Sequence, residues 1–196
     1  MFILDVANGR VSQAGISLVE LIMFIVIVSV GLVGILSVMN VVTAHSADPM
    51  IRKQAQAIAE SLLEEIELQP FTYCDPTDAN AATAKSATVG LGPTQCATTA
   101  EGVTPQPATE TRTGTPQFNN VGDYGGFTMN GVVDLTNTAI GTLAAYTAQV
   151  AITQVGTAFS LHDNGDALRI DVRVQSGDTD ITLTGYRFRY APNAVP

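Results

Sequence analysis

The sequence predicts an α+β fold, in which a long N-terminal α-helix packs its second half on a C-terminal antiparallel β-sheet. Three patterns predict it: an uncharged apolar run from Leu21 to Met39, a helical periodicity over residues 49–68, and an alternation of apolar and polar residues after Asp123. The first two patterns are typical of a membrane-spanning helix and an amphipathic helix. The third is typical of half-buried strands.

The apolar run is about long enough to cross the hydrocarbon core of a bilayer as one helix, so we expect a membrane helix over residues 16–44. Glu20 lies at its edge, where an ionisable side chain is costly to bury and is therefore a candidate functional residue. Gly31, Gly34 and Ser37 follow at three-residue spacing. They indicate either a close contact between helices or the ordinary enrichment of glycine in membrane helices.

The dipeptide Asp48-Pro49 marks the next boundary. Asp is a favoured N-cap and Pro a favoured first helical residue, so either a new helix starts here or one long helix kinks. The apolar residues beyond it recur at helical spacing: Ile51, Ala55, Ile58, Leu62 and Ile66. This spacing predicts a half-buried helix over residues 49–68.

Residues 71–122 are rich in small and polar residues and contain both cysteines of the chain, Cys74 and Cys96. A segment of this length without regular structure is usually functional or disordered. We interpret it either as a solvated insertion pinned by a disulfide or as an exposed, subunit-specific face that carries glycans on Thr.

Alternation over residues 123–191 predicts about four antiparallel strands, one face of which is covered by the preceding helix. The expected strand segments are Gly126–Leu135, Tyr146–Val155, Leu168–Val174 and a final one that contains Ile181 and Leu183. In the final segment the apolar phase changes at Gly185, ahead of Tyr186 and Phe188. Such a change at a glycine predicts a β-bulge.

Composition argues against several functional classes. The formal net charge of −9 does not suit a nucleic-acid partner, because phosphate binding needs clustered Lys and Arg. The two histidines, His45 and His162, are isolated, and the sequence has no paired-histidine zinc motif, phosphate-binding glycine loop or nucleophile elbow. We therefore expect no enzymatic activity and no cofactor.

Two acidic clusters have a simple interpretation. Asp163-Asn164-Gly165-Asp166 offers three oxygen donors in four residues, which makes Asp163 and Asp166 a weak calcium candidate. Asn-Gly is also a strong turn signal, and a turn explains the segment without a metal. Glu64, Glu65 and Glu67 are interpreted as the solvated face of the second helix.

The N-terminus resembles the prepilin signature of the type IV pilin family. It combines a short leader over residues 1–15 that ends in Gly15, the apolar residue Ile16, Glu20 four residues later, and the long apolar run. By this resemblance, a membrane prepilin peptidase cuts between Gly15 and Ile16, and the new amine of Ile16 is methylated. The chain departs from the usual pattern at Ile16, where phenylalanine is commoner, and in a leader whose only basic residue is Arg10.

A cleaved secretory signal peptide is the alternative for this terminus. Its apolar region would be shorter, and a small-residue cleavage site would follow it. Residues 44–47 match such a site only loosely, and the apolar run is long, so the prepilin interpretation is preferred.

Other segments are similar to the D-type minor pilins of the mannose-sensitive haemagglutinin (MSHA) pilus. They are Ala47–Ala55, Leu63–Ile66, Phe118–Tyr124 and Gly185–Arg187. The resemblance implies the type IV pilin fold, with residues 16–44 in the membrane or filament core and residues 45–196 as a periplasmic or extracellular head. If that head lies in the periplasm, Cys74 and Cys96 should be oxidised to each other.

The function implied is that of a minor pilin, which is held in the inner membrane and then incorporated into, or initiates, a filament for surface adhesion. Its partners would be other pilin subunits through the N-terminal helix, the prepilin peptidase and the inner-membrane assembly platform. Glu20 would pair with the Ile16 amine of a neighbour, because a buried carboxylate needs a partner. The alternatives are a type II secretion pseudopilin and a tip adhesin that uses the 71–122 loop, while a membrane-anchored enzyme has least support.

Overall fold

The computed structural model describes Gly15, residues 17–46, residues 48–190, Asn193 and Val195, without the side chains of residues 41–46 and 48. Residues 1–14 of the predicted leader and the predicted new terminus at Ile16 lie outside the described residues. The chain divides between residues 47 and 48 into two compact units, and each is described by itself.

The first unit contains one long helix, α1, over Leu18–Ser46. Its segment Leu18–Asn40 is 23 residues long and is apolar enough to cross a membrane. Within α1 the hydroxyls of Ser29 and Ser37 donate to the carbonyls of Ile25 and Val33, one turn earlier. These two polar side chains are thus satisfied inside their own helix and place no demand on an apolar surrounding.

The second unit begins with helix α2, over Asp48–Glu67, where the periodicity predicts a helix. Pro49 lies in its first turn, where the missing N–H removes no intrahelical hydrogen bond. The side of α2 that is buried is formed by Ala55, Ile58, Ala59, Leu62 and Ile66. This stripe, at intervals of three and four residues, makes α2 the amphipathic helix of the head.

Four antiparallel strands follow after the loop region. They are β1 (Thr128–Asn130), β2 (Thr147–Gln154), β3 (Ala167–Ser176) and β4 (Thr179–Phe188). The spatial order is β1-β2-β3-β4, so each strand pairs with its neighbour in the sequence. The strand expected over Gly126–Leu135 is only three residues long, and Gly131, at a positive φ of 75°, follows its last residue.

The core lies between α2 and one face of the sheet, which we call the inner face. The strand residues buried there are Ala148, Val150, Leu168, Ile170, Val172 and Val174. They occupy alternate positions on β2 and β3, as the sequence predicts for strands with one covered face. The described residues therefore form an α+β arrangement, in which an apolar helix is followed by an amphipathic helix and a four-stranded antiparallel sheet.

The β-bulge predicted at Gly185 is wrong. The pairing of β3 with β4 keeps one register from Ser176 opposite Thr179 through Ile170 opposite Gly185. A bulge would shift that register by one residue, because it places two residues of one strand opposite one of the other. Strand β4 therefore runs regularly through the glycine.

The apolar phase changes in β4 because both faces of the strand carry contacts at this end. Tyr186 and Phe188 lie on the outer face, where their rings pack edge-to-face on Phe159 with centroids 5.4 and 5.2 Å apart. Gly185 lies on the inner face, where a Cβ atom would collide with the side chain of Glu67. The glycine thus leaves room for the side chains of α2 and does not mark a change of register.

Candidate functional site

Helix α1 is the first candidate site because its apolar surface extends around its whole circumference. Every described side chain from Ser17 to Asn40 is exposed. A helix that is hydrophobic on all sides is normally buried, either in a protein core or in a membrane. Helix α1 is therefore a candidate membrane span, or a candidate for packing among other apolar helices.

Glu20 lies in the first turn of α1 and is the one ionisable residue between Leu18 and Asn40. The N-terminal end of a helix favours a carboxylate, because the unpaired N–H groups there carry partial positive charge. Surrounded by other apolar helices, this carboxylate would lose water and would need a cation. Gly15 is exposed with open space where a Cβ would stand, and Ile16 lies outside the described residues.

The loop region, residues 71–122, is fastened by a disulfide between Cys74 and Cys96. Both cysteines are buried and pack with Ala81 and Ala84 in a small second core. In the chain-entropy model, closing a loop of this size stabilises the fold by roughly 3 kcal/mol. The two cysteines singled out in the sequence are thus brought together by the fold.

Asp78 organises the inside of this disulfide loop. Its carboxylate accepts backbone hydrogen bonds from Asn80, Ala97, Thr98 and Thr99, at 2.7 to 3.0 Å. Burial opposes ionisation, but these N–H donors outweigh it and hold the pKa of Asp78 well below its usual range. The segment is therefore an ordered part of the head and more than a solvated insertion.

Glu65 corrects the interpretation of the acidic residues on α2. Glu64 is exposed as expected, but Glu65 forms a bidentate ion pair with Arg112, with both nitrogen–oxygen distances at 2.8 Å. The Tyr124 hydroxyl also donates to Glu65, at 2.7 Å. Arg112 lies 47 residues away in the loop region, so local periodicity could not reveal this partner.

The surroundings of this ion pair shift the pKa values of its partners. Burial opposes the charge on Arg112, but its hydrogen bonds to Glu65 outweigh that effect and raise its pKa. Burial, followed by the Glu65 carboxylate, raises the pKa of the Tyr124 hydroxyl far above its usual range. Arg112 therefore stays charged and Tyr124 neutral over the physiological range. Together with Glu65 they join α2 to the loop region.

Arg189, just beyond β4, forms a second link between distant segments, after the Glu65–Arg112 pair, and the sequence did not reveal it. Its guanidinium stacks on the rings of Phe71 and Tyr73, at 3.8 and 4.4 Å from their centroids. It also donates to the carbonyl groups of Phe71 and Thr72. Burial lowers its pKa to about 10, which still leaves it charged at neutral pH.

Asp163 and Asp166 belong to a 3₁₀ turn at Asn164–Asp166, between β2 and β3. Asp166 accepts a hydrogen bond from the Asp163 N–H at 3.0 Å, and Asn164 accepts one from the Thr157 hydroxyl at 2.9 Å. The acidic residues thus cap a turn. In the part of the chain that the structure describes, no three His, Cys, Asp or Glu side chains are grouped to hold a metal ion.

The outer face of the sheet has a wide groove of about 670 Å³. Its charged side chains are paired: Arg169 with Asp171 at 2.9 Å within the groove, and Arg173 with Asp180, which does not line it. Thr184 also donates to Asp171, at 2.7 Å. These pairs leave the groove with little charge to recognise a ligand.

Comparison of the chain with protein-family models, with curated proteins and with solved structures found no match. Function has to be inferred from the residues of the chain and from the arrangement described above. The packing of the core and the contacts of Arg112 and Arg189 account for the stability of the head. They do not account for α1 and Glu20.

Proposed function

We propose that this chain is a minor pilin, a membrane-held subunit that is cut after Gly15 and incorporated into a type IV filament of the MSHA kind. The observation that carries this proposal is α1, which is apolar on all sides and has a single carboxylate in its first turn. The second unit supports it, since an amphipathic helix that covers an antiparallel sheet is what the resemblance to pilins implies.

The assembly mechanism that we propose uses α1 as a polymerising element. In the membrane, lipid covers its apolar circumference; in the filament, the α1 helices of other subunits replace the lipid. Apolar surface alone gives no preferred axial position, because lipid tails are as apolar as the side chains. A charge pair supplies that preference, since it forms at one relative position of two helices and is lost at the others.

Glu20 is the acceptor of this pair, and the Ile16 amine of a neighbouring subunit is the donor. Cleavage after Gly15 creates that amine four residues before Glu20. Leaving either member buried without the other typically costs about 3–5 kcal/mol. The next subunit would therefore be recruited where both charges are satisfied at once.

The head suits exposure outside the cytoplasm in this proposal. The disulfide between Cys74 and Cys96 is of a kind that persists in oxidising compartments. Arg112 and Arg189 fix the loop region to α2 and to the end of β4, so that the loop region presents a defined surface. We place the head in the periplasm before assembly and on the filament afterwards.

Two measurements test the proposal. The intact mass of protein purified from membranes should correspond to a chain that begins at Ile16 with a methylated amine; a start at Met1, or one beyond Val42, would contradict it. Deletion of the gene should reduce or abolish surface filaments seen by electron microscopy and leave protein secretion unchanged. Loss of secretion with normal filaments would assign the chain to a type II secretion machine instead.

A further inference from the structure

Four carboxyl groups are buried together where the loop region meets the 3₁₀ turn at Val121–Tyr124. Asp75, Glu101, Glu110 and Asp123 are exposed by only 1%, 8%, 3% and 0%, respectively. Acidic residues are almost never buried to this extent unless they are paired. We call these four residues the carboxyl cluster.

Close backbone contact brings the cluster together. The carbonyl groups of Gly102 and Val103 approach Gly122 and Gly125 so closely that a Cβ atom on either glycine would collide with them. The segment that carries Glu101 thus packs directly against the turn that carries Asp123. No local sequence pattern relates these two segments.

Asp123 is the member of the cluster whose hydrogen-bond donors favour the charged form. It accepts backbone hydrogen bonds from Gln106, Asn119 and Asn120 at 3.1, 3.0 and 2.8 Å. Three such donors favour the ionised form of a carboxyl group. Burial raises the pKa of Asp123 in spite of these donors, whereas a side-chain hydrogen bond with Glu110 lowers it.

Each of the other three members has at least one oxygen without a donor, although Asp75 Oδ1 accepts from the Thr77 N–H and hydroxyl at 2.6 and 2.5 Å. Asp75 Oδ2, both Glu101 oxygens and Glu110 Oε2 are buried and have no hydrogen-bond partner among the described residues. Glu110 Oε1 does accept from the Asn119 side-chain amide, at 2.8 Å. A buried acceptor without a donor is costly, and the cost is larger when it is charged. A bound proton removes the charge and turns the unpartnered oxygen into a donor.

The charged groups around the cluster do not supply the missing donors. Arg189 acts on Glu101 electrostatically, but its guanidinium donates to backbone carbonyl groups. Lys85, Asp163 and Asp166 line a small cavity of about 210 Å³ beside Glu101. Lys85 is exposed, so its ammonium group is solvated. No three of the described metal-binding side chains are grouped to hold a cation, which favours protons over a metal ion.

We propose that the carboxyl cluster is a proton-dependent lock between the loop region and the turn. Protonated Glu110 donates a hydrogen bond to ionised Asp123, and neutral Glu101 stays buried where the two segments meet. Burial, and then the neighbouring carboxylates, raise the pKa of Glu101 to about 9. Burial first, and the negative charge of Asp123 next, raise the pKa of Glu110 to about 8. The lock is closed at neutral pH and opens in mildly alkaline solution.

Because proton binding is linked to folding, the raised pKa values fix how the stability of the fold changes with pH. An unfolded glutamate releases its proton near pH 4.5, whereas the folded chain holds two protons up to about pH 8 and pH 9. The folded state thus binds more protons throughout this window, so its stability falls as pH rises from 4.5 to 9 and levels off above that. For each retained proton, the unfolding equilibrium constant rises by about tenfold per pH unit.

Infrared titration of the purified full chain in detergent tests the proposal directly. The absorption of protonated carboxyl groups should persist at neutral pH and disappear between about pH 8 and pH 9. Glu101→Gln and Glu110→Gln should each remove part of that absorption, because the amide copies the neutral acid. Glu64→Gln, on the exposed side of α2, is the matched control and should leave it unchanged.

Urea unfolding of the same proteins provides the second readout. The wild-type midpoint should fall between pH 5 and pH 9, and the Glu101→Gln, Glu110→Gln double variant should lose most of this dependence. Protonated carboxyl absorption that is gone by pH 6 in the wild type would overturn the proposal, even if the variants fail to fold. So would stabilisation by calcium that is abolished in the double variant, because the cluster would then be a cation site.

Discussion

Helix α1 and the loop region satisfy their polar groups in opposite ways. In α1 the backbone hydrogen bonds and the two serine hydroxyls are satisfied within the helix, and the surface is apolar. In the loop region there is little regular structure, and side chains such as Asp78 and Arg112 provide the hydrogen bonds that a helix or sheet would supply. Apart from Glu20, the first region thus needs only an apolar surrounding, whereas the second depends on single, specific contacts.

This difference predicts where a substitution acts. A change in α1 should alter what the chain assembles with and leave the head intact. A change in the loop region should lower the stability of the head and leave α1 intact.

Glu20→Leu is the change in α1 with the largest expected effect. If Glu20 pairs with the Ile16 amine of a neighbour, its loss leaves that amine buried alone, at a cost of about 3–5 kcal/mol in the filament. We expect the variant to be inserted and cleaved normally but strongly depleted from sheared filaments, as measured by immunoblotting against the membrane fraction. Glu20→Asp should be intermediate, since the charge is kept and its reach is shorter.

Glu60→Leu, on the exposed side of α2, is the matched control for this loss of charge. It should reach filaments as the wild type does. Equal recovery of the Glu20 variants, the control and the wild type would mean that the carboxylate does not direct assembly, and the proposed mechanism would have to be abandoned.

In the head, Arg112→Met should have the largest effect on stability. It leaves Glu65 partly buried without its cation, and breaking such a pair costs about 3 kcal/mol or more. We expect a lower urea midpoint with unchanged membrane insertion. Arg112→Met combined with Glu65→Leu should recover much of the loss, since the unpaired charge is then removed; a double variant no more stable than Arg112→Met would argue against the ion pair as the cause.

Removal of the disulfide should come next. Cys74→Ala with Cys96→Ala should lower the free energy of unfolding by roughly 3 kcal/mol in the entropy model, because the loop between them is no longer closed in the unfolded chain. Reduction of the wild-type protein should have a similar effect and none on the double variant. Both can be read from urea unfolding with and without a reductant.

Asp78→Asn should have the smallest of these effects. The amide keeps the shape of the carboxylate but loses its charge, and hydrogen bonds to charged groups are worth about 1.5–3 kcal/mol. Since the pKa of Asp78 is lowered by folding, its contribution is present above the ordinary aspartate pKa and is lost as pH falls below it. The wild type and Asp78→Asn should therefore converge in stability in strong acid, and a difference that persists there would contradict this account.

The contrast also explains how much could be predicted from the sequence. Helices α1 and α2 and the buried faces of β2 and β3 follow from periodicity, because each depends on neighbours a few residues away. Periodicity places Glu65 on the solvated face because its partner lies in another segment. The phase change at Gly185 predicts a bulge, but the glycine faces the side chains of α2, a contact between distant residues.

The carboxyl cluster could not have been predicted for the same reason. Glu101, Glu110 and Asp123 lie in a stretch without periodicity, where a lone acidic residue is normally solvated. Only the folded arrangement buries them together and leaves both Glu101 oxygens and Glu110 Oε2 without a donor. The signal that could have drawn notice is the glycine spacing of Gly122 and Gly125, which marks a close backbone approach.

The order of strands has a consequence for how the head folds. Each strand of the β1-β2-β3-β4 meander pairs with the next one along the chain, and a two-residue turn joins β3 to β4. Short loops of this kind close quickly, since the entropy lost on closure grows with loop length. The contact of Arg189 with Thr72 spans 117 residues, and that of Arg112 with Glu65 spans 47. We therefore expect the β3–β4 hairpin to form early, and the two arginine contacts, which close much longer loops, to form later.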